Sequence, residues 1–343
     1  MSRPTTSGEH PIRCGLSPVL HGGFPGDDRA GLLRDLARIA DEGGFDAYWV
    51  EDHSRLPAEE IRASEGEPER DEPLDAWTTL AYLASVTTRV RLGTEVTPVT
   101  LRHPSQLAKT VATLDVLSGG RVVFGAGTGW HKPEYLSHGI PFERRDERYA
   151  KSCEAIEVMQ ALWRQPRVDY AGRFYHLADA YLAPKPVQAG GPPIWFGGFS
   201  DQILTATVRY GHGWINGTNP DPAFVAERWA RLREIATEAG RDPAEIRVCV
   251  PLMAHLSTDR ERARASIEGY IARGDFGKWL GDFFGENARR FGLWGTPADA
   301  LPRLKPYLDL GVRDFIFDLR PPTIARESAE LLAAHVLPRL ADL

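Results

Sequence analysis

Cysteine is scarce in this chain. Cys14, Cys153 and Cys249 are an odd number at wide spacing, and two of them fall in apolar stretches that read as strands. That excludes a disulfide framework and reads as buried free thiols in a reducing compartment. Long apolar runs are missing as well. None approaches the roughly 18 residues of a membrane span, and the opening MSRPTTSGEHP has no apolar signal core. The expected setting is the cytoplasm, without membrane contact. Charge of one sign is nowhere concentrated: 41 basic and 47 acidic side chains give a formal net charge of -6. The one acidic cluster, 59–72, is interspersed with Arg62 and Arg70, so no nucleic-acid footprint is visible. Lysine is rare and absent from the strand segments, which argues against a Schiff-base aldolase. No HxH follows the first strand, so a metal hydrolase is disfavoured and no metal is expected.

What is present is an ordinary enzyme composition, 42% hydrophobic and 26% charged over 343 residues, enough for a large core. Short β-branched or aromatic runs alternate with longer segments of helical period, the pattern of repeated βα units feeding a parallel sheet. Strands are expected at 12–18, 45–50, 90–96, 121–127, 193–197, 213–216, 246–256 and 315–319. Helices are expected between them, for example through Leu32, Leu36 and Ile39 up to Gly43, and from Pro104 through Leu107, Val111 and Leu114. Eight such pairs with no linker-like tract predict one (β/α)8 TIM barrel spanning 1–343. Three stretches break the rhythm and read as insertions. Residues 167–192 suit a β-hairpin and an extended connector. Residues 54–73 and 273–295 are either mobile lids or disordered.

A barrel presents its polar chemistry just past the strand C-termini, and four ends are unusual here. Glu51-Asp52-His53 follows the second strand, and these groups are either exposed or mutually satisfied. In Gly93-Thr94-Glu95-Val96-Thr97-Pro98 a glutamate interrupts the third strand, explained by a bulge or by pairing of Glu95 with an arginine such as Arg102. The fourth ends in Gly125-Ala126-Gly127-Thr128-Gly129-Trp130, which lets backbone approach a ligand but lacks the GK[ST] of a P-loop and the dinucleotide spacing. The fifth ends in Gly197-Gly198-Phe199-Ser200 with a helix starting at once. Free N–H groups, a positive helix end and a hydroxyl there suit a phosphate, or the serine merely caps a tight turn.

Taken in order, DH at 52–53, GTEVTPVTLRHPSQLAKTVATLDVLSGGRVVFGAGTGW at 93–130, GRFYHL, KPVQ, PPIWFGG and GHGW resemble the bacterial-luciferase-like superfamily over roughly residues 12–340. That superfamily contains FMN-dependent luciferases and alkanesulfonate monooxygenases, and dehydrogenases and reductases that use the deazaflavin coenzyme F-420. The resemblance implies an isoalloxazine-type ring across the strand mouth, braced on one face by a non-proline cis peptide at Glu95-Val96. It further implies that Thr128 and Gly129 line the ring or its side-chain path, and that Gly197, Gly198, Phe199 and Ser200 take the cofactor phosphate. Asp52 would hydrogen-bond the cofactor and His53 would act near the reacting carbon. A histidine suits that role because its unperturbed pKa of about 6.5 lets it exchange a proton near neutral pH.

By the same resemblance, Phe24, Trp130, His131, Tyr135, Trp214 and Asn216 surround a bulky or apolar small-molecule substrate, with core packing the other reading of each aromatic. Sugar-phosphate-oxidising members carry a tryptophan soon after the histidine, where this chain has SRLP, and a glutamate after the strand-4 glycines, where it has Trp130. A sugar phosphate is therefore disfavoured. Arg320, past the eighth strand, either holds an anionic group or pairs with a surface carboxylate. Three activities stay open: hydride transfer between reduced F-420 and an organic substrate, favoured by Asp52 and His53; monooxygenation with reduced FMN and molecular oxygen, fed by a separate flavin reductase; and flavin binding without catalysis. A homodimer follows from the resemblance alone.

Overall fold

Apolar runs bounded by Gly, Pro and Asp extend into strands, and the amphipathic stretches between them coil against the outside of the resulting sheet. The computed structural model describes residues 11–68, 73–274 and 283–340. Its strands are β1 (Arg13–Pro18), β2 (Ala47–Val50), β3 (Arg91–Thr94), β4 (Thr97–Pro98), β5 (Val122–Gly127), β6 (Val168–Ala171), β7 (His176–Ala180), β8 (Ile194–Gly197), β9 (Gly213–Ile215), β10 (Arg247–Leu256), β11 (Leu293–Gly295) and β12 (Asp314–Leu319). Eight of them close a ring of parallel neighbours, β1-β2-β3-β5-β8-β9-β10-β12 and back to β1. This is the expected TIM barrel.

Its interior is filled by two tryptophans laid over glycines. Trp49 lies in register with Gly93, and Trp195 between Gly125 and Gly213. A Cβ on Gly93 would come within 2.6 Å of the Trp49 ring, and one on Gly213 within 2.4 Å of Trp195. The two indoles meet at 5.9 Å with Val123, Ile215, Cys249 and Ile316 around them. Residues that alternate outward, such as Leu16, Phe124, Trp214 and Phe317, join the larger core beneath the helices. Helix starts follow the chemistry of their caps: Asp28 accepts from the Gly31 N–H at 2.7 Å ahead of Arg29–Glu42, and Asp75 from Thr78 at 2.8 Å ahead of Ala76–Ala84.

The insertion at 167–192 is the expected hairpin, β6 paired antiparallel with β7. It is held to the helix Arg145–Arg164 by Glu154, whose carboxylate accepts from the N–H groups of Arg173, Phe174 and Tyr175. The reading of 54–73 and 273–295 as disorder is corrected where they are described. In the first, Ala58–Ala63 is a helix that buries Ile61 and Ala63. In the second, Phe283–Phe291 is a helix and β11 extends the sheet beside β10. Ala63 and Ala288 share one cluster with Met253, Ile267 and Tyr270, and both insertion helices pack on the helix Arg260–Gly274. Residues 69–72 and 275–282 of these stretches lie outside the described residues. The cysteines are free, with Cys14 and Cys249 buried, as expected, and Cys153 only half-buried.

Candidate active site at the strand mouth

Beyond β2 the chain runs directly into Glu51-Asp52-His53, and the three side chains go to different partners. Asp52 is buried; Arg102 donates to both of its oxygens, at 2.7 and 2.9 Å, and Trp77 Nε1 donates at 3.2 Å. Arg102 also reaches Asp75 at 3.0 Å. The alternative pairing of Glu95 with Arg102 is therefore overturned, because Asp52 occupies the guanidinium.

His53 faces Glu134. Its Nδ1 lies 3.2 Å from Oε2, while the backbone N–H groups of Ser54 and Arg55 donate to Oε1 at 2.5 and 3.3 Å. Burial alone would lower the His53 pKa; the Glu134 carboxylate, with Glu51 and Asp52, raises it instead. Burial would raise the Glu134 pKa, but His53 and the two N–H groups hold it low. A carboxylate fixed on Nδ1 leaves Nε2 as the nitrogen that can exchange a proton. Glu134 was missed in the sequence because it sits on a six-residue helix, Lys132–Ser137, too short for periodicity to reveal. The carboxylate expected at the position of Trp130 is thus present four residues later, which removes one of the two grounds for disfavouring a sugar phosphate. Trp130 is 50% exposed and stands edge-on to His53 at 5.7 Å.

The Glu95-Val96 peptide is cis, as expected. Val96 nests among the strand-end glycines, and a Cβ on Gly127 or Gly197 would come within 2.7 Å of its methyls. Part of the glycine pattern read as room for a ligand is therefore room for Val96. Gly129, at φ +75, is pressed by the Tyr135 hydroxyl; that hydroxyl shares a 2.8 Å hydrogen bond with Thr100. Thr128 is half-buried beside it.

Glu95 is half-buried in an acidic ring around Arg320. Arg320 Nε lies 2.6 Å from Asp318 and Nη1 2.6 Å from Glu60, with Glu51 at 3.9 Å. Arg320 therefore serves buried carboxylates, not a surface one, and Glu60 of the 59–72 acidic cluster is buried and paired with Arg320 rather than with Arg62. His21, fully buried, lies 2.6 Å from Glu51, and Tyr270 donates to Glu60 at 2.8 Å. Burial and neighbouring Asp318 push the Glu95 pKa up to about 8. Burial likewise takes Asp318 to about 6 against the pull of Arg320.

On the far side, Ser200 caps the helix Asp201–Tyr210, accepting from the Ile203 N–H at 3.4 Å. Gly198 has φ +122, and Phe199 is 57% exposed against Phe224. Asn216 is buried at the end of β9, with its Nδ2 lacking an acceptor among the described residues. Trp130, the half-buried Gly197 and Gly198, Asn216 and His131 surround the mouth. Three expected substrate contacts do not. Trp214 lies on the outer face of β9, donating to the Gly198 carbonyl at 2.5 Å; Tyr135 is enclosed behind Gly129; Phe24 is buried in the outer core against Arg29. Strand alternation turns Trp214 away, and burial removes the other two. Among the described residues no group of three side chains could hold a metal, and no helix is long and apolar enough to cross a membrane.

Comparison with known proteins agrees with this architecture. The chain is 28% identical over 329 residues to an F-420-dependent glucose-6-phosphate dehydrogenase of Nakamurella multipartita, covering 90% of this chain and 92% of that one. It is 31% identical over 267 residues to an F-420-dependent hydroxymycolic acid dehydrogenase of Mycobacterium tuberculosis, covering 77% and 69%. A solved long-chain alkane monooxygenase superposes with a TM-score of 0.81 at 17% identity, covering 97% and 92%, which speaks to the fold alone. Residues 16–314 match the model of the luciferase-like monooxygenase family, and the chain belongs to that family of oxidoreductases.

Proposed function

We propose that this protein reduces an apolar or bulky organic substrate with the reduced deazaflavin coenzyme F-420, using His53 as proton donor. The observation that carries this reading is the His53–Glu134 pair, a histidine whose protonated form is favoured by a fixed carboxylate. Both full-length and partial relatives named for this coenzyme support the choice. The residues present fit the group: the unpartnered Asn216 Nδ2, the backbone of Gly197 and Gly198 and the helix start at Ser200 supply donors for its polar and phosphate parts. Half-buried Thr128 and Gly129 and the Glu95-Val96 bulge offer a surface for its ring, while exposed Phe199 flanks the phosphate end.

When bound, the reduced coenzyme supplies a hydride to the electrophilic carbon of a carbon–heteroatom double bond. His53 delivers the balancing proton from Nε2 to the heteroatom and is reprotonated from water; Glu134 holds its ring and stabilises the charged form. Asp52, clamped by Arg102 and Trp77, fixes the turn from which His53 projects. Trp130 and His131 shield the reacting atoms from water.

The test is turnover of apolar carbonyl compounds with reduced F-420, with reduced FMN and oxygen as comparator. The His53→Asn variant is expected to lose about 100-fold or more in kcat, the low end for general acid catalysis, while still binding the coenzyme. Turnover with reduced FMN in step with oxygen consumption, and none with the deazaflavin, overturns the proposal.

A further inference from the structure

The opposite end of the barrel holds a second feature. Arg13, Asp46, Arg91, His212, Arg247 and Asp314 all stand at the N-terminal starts of barrel strands, and they ring the opening of a cavity of about 140 Å³. Its inner wall is the Trp49–Trp195 pair with Ala47, Val123 and Ile316. That end of a TIM barrel is ordinarily packed solid. Gly15 lines the cavity, and the Trp49 indole occupies the space its side chain would take, with Nε1 2.5 Å from the position of a Cβ.

The polar groups on this wall are unbalanced in kind. Trp49 and Trp195, 4% and 8% exposed, line it with their rings 5.9 Å apart. Arg91 Nε is buried without an acceptor, while its Nη2 donates to Gln188 at 3.0 Å. The exposed Arg13 guanidinium adds further donors. One oxygen of each carboxylate is taken: Asp314 accepts from Arg247 at 2.7 Å, and Asp46 from the Cys14 N–H at 2.9 Å. With His212 neutral, its pKa lowered first by burial, three guanidinium groups face two carboxylates around the opening, and Asp115 stands behind Arg91 through Gln188. A buried donor without an acceptor is costly, and an anion seated in the cavity supplies the acceptor that Arg91 Nε lacks.

We infer that this cavity is a binding site for a small flat monoanion of the aromatic carboxylate class, seated with its ring against Trp49 and Trp195 and its carboxylate toward Arg91 and Arg13. The size agrees, since a cavity of about 150 Å³ admits benzene.

The experiment titrates the full chain with sodium benzoate, followed by calorimetry and by tryptophan fluorescence, with benzyl alcohol as the uncharged comparator. Saturable one-to-one binding of benzoate is expected, at least tenfold tighter than benzyl alcohol and equal in wild type and His53→Asn. Arg91→Gln should weaken it tenfold or more. If that variant fails to fold, Arg13→Gln, at an exposed position, should still weaken it severalfold. Absence of saturable binding, equal affinity for benzyl alcohol, indifference to the arginine variants, or loss of binding in His53→Asn alone each overturns the inference.

Discussion

The proton on His53 is governed by Glu134, and that relation is measurable. Because the carboxylate raises the histidine pKa, kcat/KM for a reduction that uses His53 as donor should fall with rising pH through an apparent pKa above the unperturbed value of about 6.5. Glu134→Gln removes the charge and should move that inflection down by about a unit or more, with kcat falling more than KM changes; an unmoved inflection would show that Glu134 does not tune the histidine. Gly129→Ala tests a different constraint. At φ +75 a Cβ would sit against the Tyr135 hydroxyl, so a loss of about 1–3 kcal/mol in denaturant unfolding is expected. The DH pair was legible as candidate chemistry in the sequence, but its division of labour was not. Asp52 turns to Arg102, 50 positions away, and His53 to Glu134, 81 away, and such pairings are made only by closure of the barrel.

At the scale of elements, strands and helices followed from pattern, with boundaries shifted by one or two residues where a chain enters or leaves the sheet. The hairpin after the helix Arg145–Arg164 was readable because alternation and turn residues are local. The helices Ala58–Ala63 and Phe283–Phe291 were not, since each is short and packs on the helix Arg260–Gly274, far from the first in sequence. The β5 glycines carry a further expectation. A Cβ at Gly125 would lie 1.7 Å from the Thr94 carbonyl oxygen beside the Val96 bulge. Gly125→Ala should therefore lower the thermal midpoint by several degrees or prevent folding, whereas Gly139→Ala, where nothing lies within 4 Å of the new Cβ but φ is +68, should cost only about 1 kcal/mol of backbone strain.

The whole molecule concentrates buried acid at one end of the barrel. Glu95 and Asp318 have pKa values of about 8 and 6 in the folded protein, above their unfolded values, so folding takes up protons. Their contribution is favourable at low pH and is lost as pH rises from about 4 through about 6 for Asp318 and about 8 for Glu95. The thermal midpoint should accordingly decline between pH 6 and 8, and Glu95→Gln should flatten that decline; an unchanged slope would place the titration elsewhere. Removing the central cation is more severe. Arg320→Met leaves Asp318 and Glu60 buried without their counterion and should cost about 3–5 kcal/mol in an unfolding titration.

Periodicity and turn residues by themselves determined the barrel, and the order of segments, through its resemblance to known sequences, the family, because those depend on local alternation and on the order of segments. Only the tertiary structure decided which acid serves His53, that Arg320 neutralises an internal ring, and that Trp214, Tyr135 and Phe24 belong to the core. Each of those outcomes depends on which side of a strand or helix a residue faces once the ring has closed, and on distances between residues far apart in the chain.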